Sequence, residues 1–259
     1  MQSLKKQRNV SENKTRHRML KRAFCALFFS LASAAVSLYL LKYNGLLFDN
    51  RPNRLDYPCR GAYISQVCGK VNWKTFVNEN VDFCYIRLTA GAAFADRQAS
   101  DNLKGASRCG MTFGVVHDLD PAVGGRAQAE SFLSEAGSFE GMLIPALDIR
   151  LSLVERIRYG DRYKLAGIIT DFVGRIKECE SCGVVLLCDS YIYDLLSLGE
   201  SGALIWADDT GLCSRPYLQS YSDKAVSPSM NDKYTALTAG KNITSRELYD
   251  NYTVRKKQA

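Results

Sequence analysis

The sequence predicts an α/β fold: a β/α sheet closing as an irregular, TIM-like barrel, preceded by one N-terminal transmembrane helix. Three observations carry this. From residue 61 to residue 207 strand-like and helix-like stretches alternate and then give way to strands alone, the order of a parallel sheet with crossover helices. The run from Leu143 to Arg150 is largely apolar until Asp148, which suits a strand buried on both faces. The run that starts at Ala23 and ends at Leu41 holds 19 residues without a charge. As a helix it measures about 28 Å at ~1.5 Å per residue, close to the ~30 Å hydrocarbon core of a bilayer.

Charge divides the chain. Its formal net charge is +7 over 259 residues. Residues 1–22 carry eight Lys or Arg against Glu12, so the whole excess lies there and the remainder sums to zero. The remainder therefore has no general attraction for nucleic acid. A basic tail before an apolar span is retained in the cytoplasm, which sends the rest to the periplasm or the cell exterior. Lys42 closes the span, and Tyr39 and Tyr43 suit its interface. Ala32, Ser33 and Ala34 resemble a signal-peptide cleavage site, but the apolar run continues through residues 36–41, favouring an uncleaved anchor. The organisation read here is a cytoplasmic tail (1–22), a signal-anchor (23–41), a linker (42–58), a folded domain (59–240) and a C-terminal tail (241–259).

Of nine cysteines, Cys25 falls in the span and eight fall beyond it. An even number in an exported domain predicts disulfides, with the pairing left open. Cys179 and Cys182 have a redox- or zinc-like spacing, but only His17 and His117 are present, so no zinc site and no cofactor is expected. Asn242 and Asn251 head glycosylation sequons for a eukaryotic host.

Taken in order, strands are expected at 61–65, 81–88, 111–117, 143–150, 183–189 and 203–207, with short final strands at 217–222 and 234–238. Helices are expected at 71–80, 98–108, 126–136, 153–179 with a break near Gly160, and 191–198, and none after that. Gly110 offers a C-terminal cap after Cys109. Asp148 and Arg150, two apart, would share one face of their strand. There is no dinucleotide-binding glycine pattern, no phosphate-binding loop and no nucleophile elbow.

The motifs resemble, in order, those of the glycoside hydrolase family 25 lysozymes, muramidases with an irregular β/α barrel. The likeness runs through residues 61–65, Asn72-Trp73-Lys74, the strand at 81–87, Thr89-Ala90-Gly91, residues 114–117 with Pro121, Gln128 with Phe132, residues 145–148, residues 204–208, Gln219 with Tyr221, and Asn231-Asp232. It implies action on peptidoglycan or a related N-acetylated glycan, with Asp148 and Asp232 kept from the family's acidic set as candidate catalytic carboxylates and Asp118, at a neighbouring strand end, as a candidate replacement. It also implies Tyr63, His117, Arg150 and Trp206 as glycan-facing groups at the C-terminal strand ends.

The departures from the family fall where chemistry is expected. Tyr63 stands where the family's first strand ends in an acid, and Arg150 where its central strand carries the glutamate proposed as general acid. Ala90 and Val116 replace a glutamate and a tyrosine. Glycoside cleavage needs one carboxyl to donate a proton and a second to stabilise or activate attack. Arginine stays charged and cannot donate that proton, whereas its planar fork can hold a carboxylate or a sugar hydroxyl. Asp148 and Arg150 thus read as an ion pair or ligand clamp, and the domain as a catalytically impaired glycan binder. Two alternatives stand beside this: a muramidase using Asp118 or Asp120 with Asp148 or Asp232, and a purely structural or protein-binding barrel. His117 by itself reads better as a hydrogen-bonded core histidine than as a catalyst.

Overall fold

The computed structural model describes residues 2–43, 53–209, 211–213, 216–230, 233–240 and 243–255. Two compact units are present, residues 1–48 and 49–259. The first is α1 (Gln2–Tyr43), a single helix. Within it, His17–Leu41 is long and apolar enough to cross a membrane by length and composition. The basic segment expected as a tail is thus helical and continuous with the apolar run.

The second unit is a closed eight-stranded barrel. Its strands are β1 (Cys59–Ile64), β2 (Phe83–Ala90), β4 (Thr112–Asp118), β5 (Ala146–Asp148), β6 (Val185–Cys188), β7 (Leu204–Ala207), β8 (Leu218–Ser227) and β9 (Lys233–Gly240). A two-residue strand, β3 (Phe94–Ala95), pairs antiparallel with the end of β2. Pairing is parallel from β1 through β2 and β4 to β8, then antiparallel for β8–β9 and β9–β1. The two antiparallel seams make the barrel irregular and place β9 beside β1 with no crossover helix between.

Helices α3 (Ala99–Arg108), α4 (Gly125–Ala136) and α6 (Arg162–Glu180) lie near their expected positions. α2 (Trp73–Phe76) is a single turn capped by Asn72, and α7 is Ser190–Leu195. The expected break near Gly160 is real: α5 (Leu153–Tyr159) ends there, and Asp161 caps α6. α4 begins at Gly125, where a Cβ would stand 1.9 Å from the Ile168 carbonyl oxygen. Glycine is what lets α4 and α6 approach so closely.

Large side chains fill the barrel from alternate strand positions, Phe83 and Tyr85 from β2 and Trp206 from β7 among them. Gly61 and Gly114 leave room for two of these: a Cβ at Gly61 would fall 2.3 Å from the Phe83 ring, and one at Gly114 2.4 Å from Tyr85. Such small-against-large matching is how a narrow barrel packs without voids.

Three expectations are corrected. The central strand is only three residues long. Pro145 has no N–H for the ladder, and before it Leu143 donates to the Phe113 carbonyl of β4 and bridges Thr253 outside the barrel. Helices do not stop after β7, because α8 (Ser245–Tyr252) follows β9, held by a capping box of Thr244 and Glu247. Its Leu248 is buried in the barrel's interior cluster, and Tyr252 stacks on Tyr217 at 4.6 Å. Nor do the described cysteines form a disulfide. Cys59, Cys84 and Cys188 sit on different strands at register positions occupied by other residues across each pairing. Burial pushes the thiols of Cys59 and Cys188 up to about 12, far from the thiolate that forms a bridge.

Candidate functional site

The C-terminal ends of β1, β5, β6 and β7, with β8 and β9, surround a cavity of about 440 Å³ whose lining includes Tyr63, Arg150, Leu187, Trp206, Asp208 and Tyr221. Strand alternation decides what faces it. Tyr85 and Trp206 point into the barrel, and the same parity on β2 and β4 brings Arg87 and Asp118 to the mouth.

Two arginines organise this mouth. On one side Arg87 donates from Nε to Asp96 at 3.0 Å and from Nη1 to Asp118 at 3.1 Å. Asp118 also accepts from the Tyr63 hydroxyl at 3.0 Å. Burial pushes the Tyr63 phenol well above its ordinary pKa, and the charges of Asp118 and Asp148 add to that, so it is a neutral donor. On the other side Arg150 forks onto Asp148, with Nε to Oδ1 at 2.9 Å and Nη2 to Oδ2 at 2.6 Å. Its remaining Nη1 donates to Asp208 at 2.9 Å. Burial opposes the Arg150 cation, but its bonds to Asp148 and Asp208 outweigh this and hold its pKa above the ordinary arginine value. Burial raises the Asp148 carboxyl, and the Arg150 guanidinium works against that rise.

The expected shared strand face of Asp148 and Arg150 is not how they meet. Arg150 lies beyond the end of β5, and the chain turns there so that its backbone N–H also donates to Asp148 at 3.1 Å. The pair itself forms as an ion pair.

His117 is not part of this site. It follows Val116 on β4 and points outward, fully buried, against Phe132 of α4 and Phe172 of α6. Its Nε2 lies 3.1 Å from Gln128 Oε1 and its Nδ1 2.7 Å from Thr89 Oγ1. Gln128 donates through its amide nitrogen to the carbonyls of Asp120 and Val123, so its oxygen must accept from His117. The ring is therefore the neutral Nε2–H tautomer, and burial lowers its pKa to about 4. This is a satisfied core histidine.

Trp206 lines the cavity but is only 1 % exposed, and its indole N–H donates to Ser220 at 3.1 Å. It supports Tyr63 edge-on at 6.2 Å and forms the floor beneath it, without offering a free face. Asp120 is used locally: its Oδ1 accepts from the Ala122 N–H at 2.8 Å. Asp232 lies outside the described residues.

Three site residues escaped the sequence reading: Arg87, Asp96 and Asp208. The signal for Arg87 was a lone cation at the end of an otherwise apolar strand, two positions on from Tyr85. Asp208 stood in the same way directly after β7. Asp96 gave none, since its role depends on β3 folding back to β2.

A barrel that gathers paired acids, arginines and aromatic rings at its C-terminal strand ends is built like the β/α-barrel enzymes, whose active sites lie there. The sequence profile of Glycosyl hydrolases family 25 matches residues 63–188. Lysozyme M1 of Streptomyces globisporus is 30% identical over 132 residues, covering 49% of this chain and 45% of that protein. This chain thus matches under half the length of that relative. Among solved structures, a family 25 glycosyl hydrolase from Bacillus anthracis superposes with a TM-score of 0.71 at 20% identity, covering 78% of this chain and 97% of the other. A family 25 lysozyme from Aspergillus fumigatus gives 0.64 at 18% identity, covering 76% and 99%. Profile, relative and superposed structures together support a glycoside hydrolase family 25 domain, and the barrel has that family's fold.

Proposed function

We propose that this domain holds peptidoglycan or a related N-acetylated glycan at the barrel mouth and does not cleave it at a meaningful rate. We place it on the exported side of a membrane, anchored through the apolar part of α1. One observation supports the catalytic reading above others: Arg150, where the family's proton donor is expected, clamps Asp148 and Asp208 together. Asp118, the carboxylate beside them, is held by Arg87. An arginine cannot donate the proton itself, and the Arg150 guanidinium opposes the rise that burial gives the Asp148 carboxyl. The open cavity, the Tyr63 hydroxyl and the half-exposed Asp208 remain suited to sugar hydroxyls.

A second reading draws on one further feature. Asp118 and Asp148 are register partners on adjacent strands, and burial raises Asp148. Those two carboxyls are the pair a relocated dyad would use. The same assay separates the readings: reducing-end release from peptidoglycan by the full chain, beside its retention on the insoluble material. Retention without release is expected. Release that Asp118→Asn or Asp148→Asn abolishes would make this an active muramidase, and neither retention nor release would make the barrel a structural or protein-binding module. Arg150→Glu combined with Tyr63→Asp restores the family's acids at both positions. That double variant is expected to gain measurable release, with circular dichroism confirming its fold.

A further inference from the structure

Among the described residues outside α1, the most exposed cluster of large apolar side chains lies on α5 and the first turn of α6, beside the mouth where β5 exits. Leu153, Val154, Ile157 and Tyr163 are between 72% and 89% exposed. Leu153 and Ile157 lie four apart on one face of α5 with Val154 next to them, and none of α5 is buried. A two-turn helix with both capping-box bonds made, yet with its apolar side chains in water, is held in shape for something else to cover.

The flanking charges indicate what that is. Arg156, Arg158, Arg162 and Lys164 interleave with these residues and with Tyr159, against Glu155 and Asp161. Arg158 and Lys164 lie over the Tyr159 ring at 5.5 and 5.8 Å, and Arg162 donates to Ser197 at 3.1 Å. Both acids are occupied at helix starts, Glu155 in the α5 capping box and Asp161 as the α6 cap. Arg156 pairs with Asp189. Aliphatic and tyrosine side chains among the cations Arg158, Arg162 and Lys164 are the composition of segments that lie in the interface of an anionic bilayer, the cations reaching its headgroups.

The chain also carries its own means of staying near such a surface. Fifteen residues, 44–58, join α1 to β1. Fully extended they reach at most about 50 Å at ~3.3–3.6 Å each, so an anchored domain meets the bilayer at high effective concentration.

We propose that the α5 surface, centred on Leu153, Val154, Ile157 and Tyr163, docks on the anionic lipid surface in which the chain is anchored. This rests on the anchoring read above. The test is hydrogen–deuterium exchange on the full chain, in detergent and in nanodiscs of phosphatidylcholine with or without 30% phosphatidylglycerol. Exchange across residues 152–164 is expected to slow about tenfold in the anionic discs alone, and Leu153→Ser with Ile157→Ser, both at exposed positions, to abolish the slowing. Incorporation into discs with unchanged exchange, or slowing that survives the double substitution, would overturn the docking surface and leave the anchor standing. Protection in detergent that rises with protein concentration would assign the patch to a second copy of this chain and overturn the proposal. Failure to incorporate would remove the anchor and the surface with it.

Discussion

His117 and Asp118 are consecutive on β4 yet belong to different worlds. His117 faces outward into the layer between sheet and helices, where Thr89 and Gln128 satisfy both ring nitrogens and the ring stays neutral. Asp118 faces inward to the mouth, where Arg87 and Tyr63 hold it as a half-exposed acceptor. The outer network is saturated by neutral partners, has no access to solvent and can only position the chain. The inner one is made of ion pairs around an open cavity, so its cations and carboxylates can be shared with a ligand. Neighbouring polar residues thus divide into structure and site by which side of the sheet they face.

The largest expected effect probes the boundary between the two. Trp206 faces inward but is buried, so Trp206→Ala is expected to cost about 3–5 kcal/mol of stability, read by urea unfolding. A variant that unfolds as wild type and loses only glycan retention would show that the indole is a ligand platform after all.

Next is the inner network itself. Arg150→Met leaves the buried Asp148 without its fork. Removing one partner of a buried pair costs ~3–5 kcal/mol, and the partial exposure of Arg150 puts the expected loss at about 3 kcal/mol at pH 7. Without the guanidinium, burial raises the Asp148 carboxyl against only the backbone N–H of residue 150. A folded-state pKa above the unfolded one favours the native state at low pH and loses that benefit as pH rises. The deficit is therefore expected to shrink on acidification, which unfolding midpoints at pH 7 and 5 would show.

The outer network responds with the opposite sign. His117 has a folded pKa of about 4 against 6.5 unfolded. Its contribution is complete above pH 6.5 and is lost as pH falls toward 4, by up to about 3 kcal/mol. The depressed carboxyls of Asp209 and Glu247 contribute to acid loss only below their ordinary values of 3.8 and 4.5. His117→Gln is expected to flatten the pH 6.5–4.5 slope without altering glycan retention. An unchanged slope would mean that the imidazole is not what titrates.

The smallest effect concerns salt. Because the chain beyond residue 22 sums to zero charge, retention of glycan by the barrel is expected to change little between 50 and 200 mM NaCl, roughly the regime in which long-range attraction is screened. A steep fall would point to a charged ligand held by the arginines.

Much of the architecture was legible in the sequence. Local chemistry decided the order of strands and helices, the break at Gly160 and the long apolar run in α1, because propensity and periodicity act over a few residues. The T-x-x-E capping box that starts α8 was equally local and was passed over.

What tertiary structure decided is the direction and partnership of side chains. In a barrel strand buried on both faces, apolar residues follow one another without alternation, so nothing local says which side is the interior. Closure of β1 on β2 and β9 settles that, sending Arg87 and Asp118 inward, His117 outward, and Trp206 to the buried floor of the cavity beneath Tyr63. The bonds of Arg87 to Asp96 and of Arg150 to Asp208 join residues from separate strand ends. Such contacts exist only once the register of the whole sheet is fixed.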